Sequence, residues 1–89
     1  MIRKHIYYSG MVQGVGFRFT ALRAARSYPV TGYVRNMPDG RVEMVVEGSS
    51  GDIEGLKNDI AGQLAGYIKG VDEGESAATG EFDQFTIRL

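Results

Sequence analysis

The 89-residue chain is predicted to be an α+β domain in which an antiparallel sheet of four to five strands carries two helices on one face. Three observations lead there. Apolar residues recur at helical spacing in two separate stretches, they alternate in the segments between and around them, and a turn signal joins the second and third extended segments into a hairpin.

In the first segment Ile2, Ile6 and Tyr8 fall on one face and Arg3, His5 and Tyr7 on the other, as a strand requires. A glycine-rich run follows, and the period then changes. Phe17, Ala21, Ala25 and Tyr28 recur at spacings of four, four and three, with Arg23 and Arg26 off the stripe, which predicts an amphipathic helix stopped by Pro29. Val30 to Asn36 reads as a second strand. In Met37-Pro38-Asp39-Gly40 proline presets the turn and glycine supplies positive φ, so Arg41 to Glu47 returns as a third strand, Val42, Met44 and Val46 facing in and Arg41, Glu43 and Glu47 facing out.

Gly48-Ser49-Ser50-Gly51 breaks that strand. Asp52 and Glu54 place acids in the first turn of a second helix carrying Ile53, Leu56, Ile60 and Leu64. Beyond it, Ile68 to Glu75 is expected as a strand, Gly74 to Gly80 as a loose connector, and Phe85, Ile87 and Leu89 as a short last strand. The order β-α-β-β-α-β, with one possible extra strand, is the ferredoxin-like split βαβ sandwich, and residues 1–89 are expected to form one domain.

Composition narrows the function classes. There is no cysteine, so a disulfide framework, a thiol nucleophile and a cysteine-based metal site are excluded. The amino terminus enters alternating strand residues with no long apolar stretch, which makes a cytoplasmic protein without signal peptide or membrane span the expectation. Net charge is −1, but residues 1–41 hold seven Lys or Arg against one acid and residues 42–89 three against ten, balances of +6 and −7. A field that collects small anions follows if the fold keeps the basic half around the glycine run.

That run, Gly10-Met11-Val12-Gln13-Gly14-Val15-Gly16-Phe17-Arg18, joins the first strand to the first helix. Glycines let successive N–H groups turn inward, the helix N-terminus adds partial positive charge, and a guanidinium can grip two phosphate oxygens at once. A cation at a helix N-terminus is unfavourable unless an anion lies between them, so Arg18 itself argues for a bound anion. The run fits neither nucleotide motif: it lacks the third glycine of a dinucleotide loop and the Gly-Lys-Ser/Thr of a triphosphate loop. Gln13, Gly14, Val15, Gly16, Phe17 and Arg18 are the candidate phosphate-binding loop.

Two separated motifs then carry a resemblance. The first is the run above, and eighteen residues after Arg18 comes Asn36, within Gly32-Tyr33-Val34-Arg35-Asn36-Met37-Pro38-Asp39-Gly40-Arg41-Val42. The pair resembles the acylphosphatase signature, G-x-V-Q-G-V-x-F-R followed at this interval by G-[aromatic]-V-x-N-x-x-x-G-x-V. On the residues alone Asn36 is a common hairpin-opening residue. The resemblance implies that Arg18 and the loop hold a phosphoryl group and that Asn36 holds the attacking water, while Gln13 braces the loop. It further implies a small-molecule acyl phosphate as substrate, inorganic phosphate as product and inhibitor, no cofactor or metal, no nucleic acid or membrane partner, and a monomer. Met37 stands where many relatives carry a hydroxyl residue, and Tyr33 where many carry tryptophan.

The chemistry suits a site without an acid or base. The leaving group is a carboxylate, stable as an anion at neutral pH, so positioning and electrostatics suffice. His5, the single histidine, is expected to be a solvated strand residue five positions before the loop, and Asp72-Glu73-Gly74-Glu75 a solvated acidic turn without the pattern of a calcium loop. The alternative functions are an impaired anion-binding regulatory module, which Met37 alone suggests, and an RNA-binding sheet, whose K/R-G-F/Y-G/A-F-V-x-F/Y motif is missing.

Overall fold

The computed structural model describes residues 1–89. The elements are β1 (Ile2–Gly10), α1 (Phe17–Ala25), β2 (Thr31–Asn36), β3 (Val42–Gly48), α2 (Ser50–Leu64), β4 (Ile68–Ala77) and β5 (Phe85–Arg88). They form one five-stranded sheet in the order β4-β1-β3-β2-β5. Each neighbouring pair is antiparallel except β2 and β5, which run parallel and make the sheet mixed. The cause is a crossing: β4 leaves the sheet beside Ile2, residues 78–84 pass over the face opposite the helices, and β5 starts from that same end, which is where β2 also starts.

The helices pack their apolar stripes on the other face. Phe17, Ala21, Ala24 and Ala25 of α1 and Ile53, Leu56, Ile60 and Leu64 of α2 close over Ile6, Tyr8, Val34, Val42, Met44 and Val46 as one hydrophobic cluster. Ser49 caps α2, its Oγ accepting from the Asp52 amide at 3.2 Å while donating to Asp52 Oδ2 at 2.7 Å, so the helix starts at Ser50, two residues before its acids. Gly55 leaves room for α1's continuation: a Cβ there would lie 2.5 Å from the Tyr28 ring.

The mixed sheet departs from the antiparallel one expected, and further expectations change with it. Helix α1 ends at Ala25, before Pro29, because the amides of Arg26, Ser27 and Tyr28 bond the carbonyls three residues back and tighten the chain into a turn. The connector lies at residues 78–84 and not at Gly74 to Gly80, since β4 pairs with β1 as far as Ala77 opposite Ile2 and β5 begins at Phe85. The acidic run Asp72-Glu73-Gly74-Glu75 is therefore strand, not turn: Glu73 bridges Lys4 and Lys57, and Glu75 pairs with Lys4 at 3.1 Å. The polar side of β3 is not open to water either.

Glu43 and Glu47, on that polar side, are 3% and 4% exposed. Burying a carboxylate is tolerable only when its oxygens are filled by donors. Glu43 receives Arg35 Nε at 2.5 Å and Tyr7 OH at 3.2 Å and lies 2.7 Å from His5 Nε2, so His5 is a hydrogen-bonding neighbour of Glu43 rather than a purely solvated residue. Glu47 receives the amides of Thr79 and Gly80 at 2.9 and 3.0 Å and Arg3 Nε at 2.8 Å. Burial opposes the charge on Glu47, but these donors prevail and hold its pKa down to about 2. The crossing segment is pinned to the sheet by the same contacts. No helix of the chain is long and apolar enough to cross a membrane.

Candidate active site

The loop between β1 and α1 is anchored at both ends and free in the middle. A register shift at Ser9/Gly10 ends the β1–β4 ladder, and the Met11 amide bonds Tyr67 O at 2.9 Å. Val12 is buried in the core, as is Phe17, whose ring lies 4.8 Å from that of Tyr8. Between them Gly14 (φ 80°) and Gly16 (φ 78°) take left-handed conformations open to glycine at little cost. Gly16 is also the N-cap of α1, with no side chain to cap the helix and no acid in its first turn. No protein carbonyl accepts a hydrogen bond from the amides of residues 12–19. Donors that elsewhere serve secondary structure are here left without a protein partner, at the positive end of the helix dipole.

Asn36 reaches this loop from the other side of the fold. It is the last residue of β2, paired with Val42 at the root of the β2–β3 hairpin. Gln13 ties the loop to that hairpin: its Nε2 donates to Met37 O at 2.7 Å and to Arg41 O at 3.0 Å. A pocket of about 180 Å³ results, lined by Val12, Gly14, Gly16, Phe17, Arg18, Phe19 and Asn36. It has room for a tetrahedral oxyanion with a water beside it, a water's share of liquid volume being about 30 Å³.

Of the residues singled out in the sequence, Gly14, Gly16, Phe17, Arg18 and Asn36 thus share one pocket. Gln13 and Val15 lie outside its lining, Gln13 turned to the hairpin and Val15 packed against the core. Val12 and Phe19 were not foreseen as pocket residues. Phe19 did carry a signal, because it is a large apolar residue off the buried stripe of its helix, and it is 69% exposed. His5 lies in the Glu43 cluster on the opposite face of the sheet, away from the pocket.

The electrostatics favour an anion for a reason the charge count hides. Arg3, Lys4, Arg35 and Arg41 of the basic half are each held in an ion pair with Glu47, Glu73 or Glu75, Glu43 and Asp39 respectively. Arg18, Arg23 and Arg26, all on or just after α1, have no carboxylate partner. Within the basic half, the unpaired cations therefore lie on or just after the helix whose N-terminus opens into the pocket. No three His, Asp or Glu side chains gather anywhere into a cluster that could hold a metal ion.

Residues 4–87 match the model of the acylphosphatase family. The chain belongs to the acylphosphatase family. It is 42% identical to the acylphosphatase of Methylococcus capsulatus over 88 residues, 98% of this chain and 96% of that one. It is 43% identical to the acylphosphatase of Syntrophus aciditrophicus over 88 residues, covering 98% and 92%. The crystal structure of acylphosphatase from Bacillus subtilis superposes on it with a TM-score of 0.89 over the whole of both chains at 26% identity. The two departures from the acylphosphatase signature can now be located. Met37 takes part in the site's framework through its backbone, its carbonyl accepting from Gln13 and Gly40 and its amide bonding Arg41 O at 2.8 Å. Tyr33 is on the opposite sheet face, edge-on to Phe82 at 5.8 Å and beneath the Arg88 guanidinium at 3.8 Å.

Proposed function

We propose that this acylphosphatase hydrolyses the carboxyl–phosphate bond of small acyl phosphates to a carboxylate and inorganic phosphate, with Arg18 and the loop amides binding the phosphoryl group and Asn36 placing the water. The observation that supports this reading most is the shared pocket: uncapped amides, an unpaired guanidinium and a side-chain amide from a separate strand converge on one small space. In-line attack by the water oxygen forms a new P–O bond as the P–O bond to the acyl group breaks. The electron pair leaves on the carboxylate oxygen, and the water's proton goes to a phosphate oxygen of the substrate.

Negative charge on the equatorial oxygens is met by fixed donors that need no rearrangement, the largest catalytic contribution available to such a site. Those donors supply the positive potential that other phosphoryl-transfer enzymes draw from Mg²⁺, so turnover is independent of added metal. Inorganic phosphate, matching the cradle, acts as a competitive inhibitor. Arg18 and Asn36 are both present and Met37 acts through its backbone, which leaves the impaired regulatory module without support. Nor is the open sheet face free to stack bases: Tyr7 lies beneath Arg41 and Tyr33 beneath Arg88. A monomeric cytoplasmic enzyme with neither nucleic-acid nor membrane partner completes the proposal.

Hydrolysis of benzoyl phosphate with and without EDTA tests it, in the wild type and in Arg18→Ala. Activity should survive the chelator, and the substitution should lower the rate by about 10²–10³, the loss expected when a charge-assisted clamp is taken from a phosphoryl transition state. Near-wild-type turnover in Arg18→Ala would overturn the assignment.

A further inference from the structure

We infer that the face of α1 beside the phosphate pocket is the subsite for the acyl group, and that Arg23 on it favours acyl phosphates whose acyl chain ends in a second anionic group. The inference rests on the phosphate site proposed above.

Phe19 is shared between two spaces. It lines the phosphate pocket, and it also forms one wall of an adjoining groove of about 350 Å³ whose other walls are Leu22, Arg23 and Arg26. Spacings of three, four and seven from Phe19 put these side chains on one helix face, the face opposite the buried stripe of Phe17, Ala21 and Ala25. An aromatic ring 69% exposed at the mouth of an anion site offers an apolar surface to whatever is attached to the anion. In an acyl phosphate, that is the acyl chain.

Beyond the ring the groove becomes cationic. Arg23 follows Phe19 by one helical turn, about 6 Å along the axis at 1.5 Å per residue, a span that a four-carbon dicarboxylic chain covers. Neither Arg23 nor Arg26 has a carboxylate partner. Further along, Arg26 lines a second space with Asp83, Gln84 and Phe85 at the start of β5, so beyond Arg18 it is Arg23, one turn from Phe19, that stands nearest the pocket. A short neutral acyl group stops at Phe19. A chain with a terminal carboxylate extends over Leu22 and reaches the Arg23 guanidinium.

The test compares kcat/KM for succinyl phosphate and acetyl phosphate in the wild type, Arg23→Ala, Arg23→Glu and Arg26→Ala. Exposed ion pairs are modest, so the succinyl-to-acetyl ratio should fall about two- to fivefold in Arg23→Ala at low ionic strength, further in Arg23→Glu and least in Arg26→Ala. The preference should shrink in high salt as the pair is screened. A ratio that stays the same across all the variants would overturn the inference and leave the phosphate site intact. A wild-type protein that hydrolyses neither compound would overturn the catalytic reading and this inference with it.

Discussion

Gln13 offers the sharpest test of how the two halves of the site are joined. In Gln13→Ala the loop loses the hydrogen bonds from Nε2 to Met37 O and Arg41 O, at 2.7 and 3.0 Å. Neither carbonyl is orphaned, because Gly40 N still bonds Met37 O at 3.1 Å and Met37 N still bonds Arg41 O at 2.8 Å. Gln13 is exposed, so water can take its place. The stability cost should then lie toward the low end for two hydrogen bonds, about 1 kcal/mol, which in a domain of this size lowers Tm by about 4–8 °C. Catalysis should suffer more than stability suggests. Arg18 and the amides stay together on α1, but Asn36 stands on β2, and a shift of the hairpin of less than about 1 Å is enough to cost a factor of ten to a hundred in turnover. Steady-state hydrolysis and phosphate inhibition, read beside thermal melts, separate the possibilities. Turnover should fall with little change in phosphate affinity, and Gln13→Glu should be worse than alanine, since it sets a carboxylate against two carbonyl oxygens. A variant that loses phosphate affinity as steeply as Arg18→Ala would show that Gln13 touches the substrate, and one that keeps full turnover would show that the tie does not position Asn36.

Asn36→Ala should lower kcat while inhibition by inorganic phosphate and the phosphate-induced rise in Tm persist, because an amide that orients water adds little to holding the phosphoryl group; collapse of phosphate affinity would place Asn36 in the cradle instead. Acid stability depends on Glu47. Its folded-state pKa of about 2 lies below the ordinary 4.5, so its contribution is complete above about 4.5 and disappears as pH falls toward 2. Melting temperatures from pH 6 to 2.5 should fall less steeply in Glu47→Gln than in the wild type, and parallel curves would refute the account. The slope should not vanish, because Glu43, Glu73, Glu81 and Asp39 are also held below their usual values by ion-pair and amide donors.

The legibility of this chain follows burial of its apolar groups. Strands β1 and β2 and helix α2 were readable because a half-buried element writes its period into the sequence, as Ile6 and Tyr8 or Ile53, Leu56 and Ile60 do. Strand β4 was readable only in part. At the sheet edge, beneath no apolar layer, its residues from Asp72 to Ala77 are exposed and need satisfy only the β1 backbone, so glycine and glutamate serve as well as valine. Strand β3 was placed in the sequence, but the burial of its polar face was not. It lies between β1 and β2 under the 78–84 crossing, and partners distant in sequence, Arg3, Arg35, Thr79 and Gly80, make Glu43 and Glu47 buriable. In the site, the glycines, Arg18 and Asn36 were legible as a motif. Phe19 was legible only as an apolar residue off its helix's buried stripe, since the groove it lines exists only once the helix is formed.

The same long-range pairing explains why charge misleads when read along the chain. A +6 half and a −7 half suggest a basic lobe and an acidic lobe. The split βαβ topology prevents this, because it lays β1 between β3 and β4, so basic Arg3 and Lys4 fall beside acidic Glu47, Glu73 and Glu75 and neutralise one another within the sheet. Within the basic half the arginines of α1 escape this pairing, since the helix packs on the sheet through alanines and a phenylalanine and leaves Arg23 exposed. At the uncapped start of that helix the unpaired Arg18 and the positive end of the dipole act together on the pocket. A small phosphorylated molecule can use such a field in full, whereas an extended polyanion would meet it over only a turn or two before reaching the acids of α2 and β4. Under the function proposed above, preference for a small substrate follows from the topology that built the sheet as well as from the walls of the pocket.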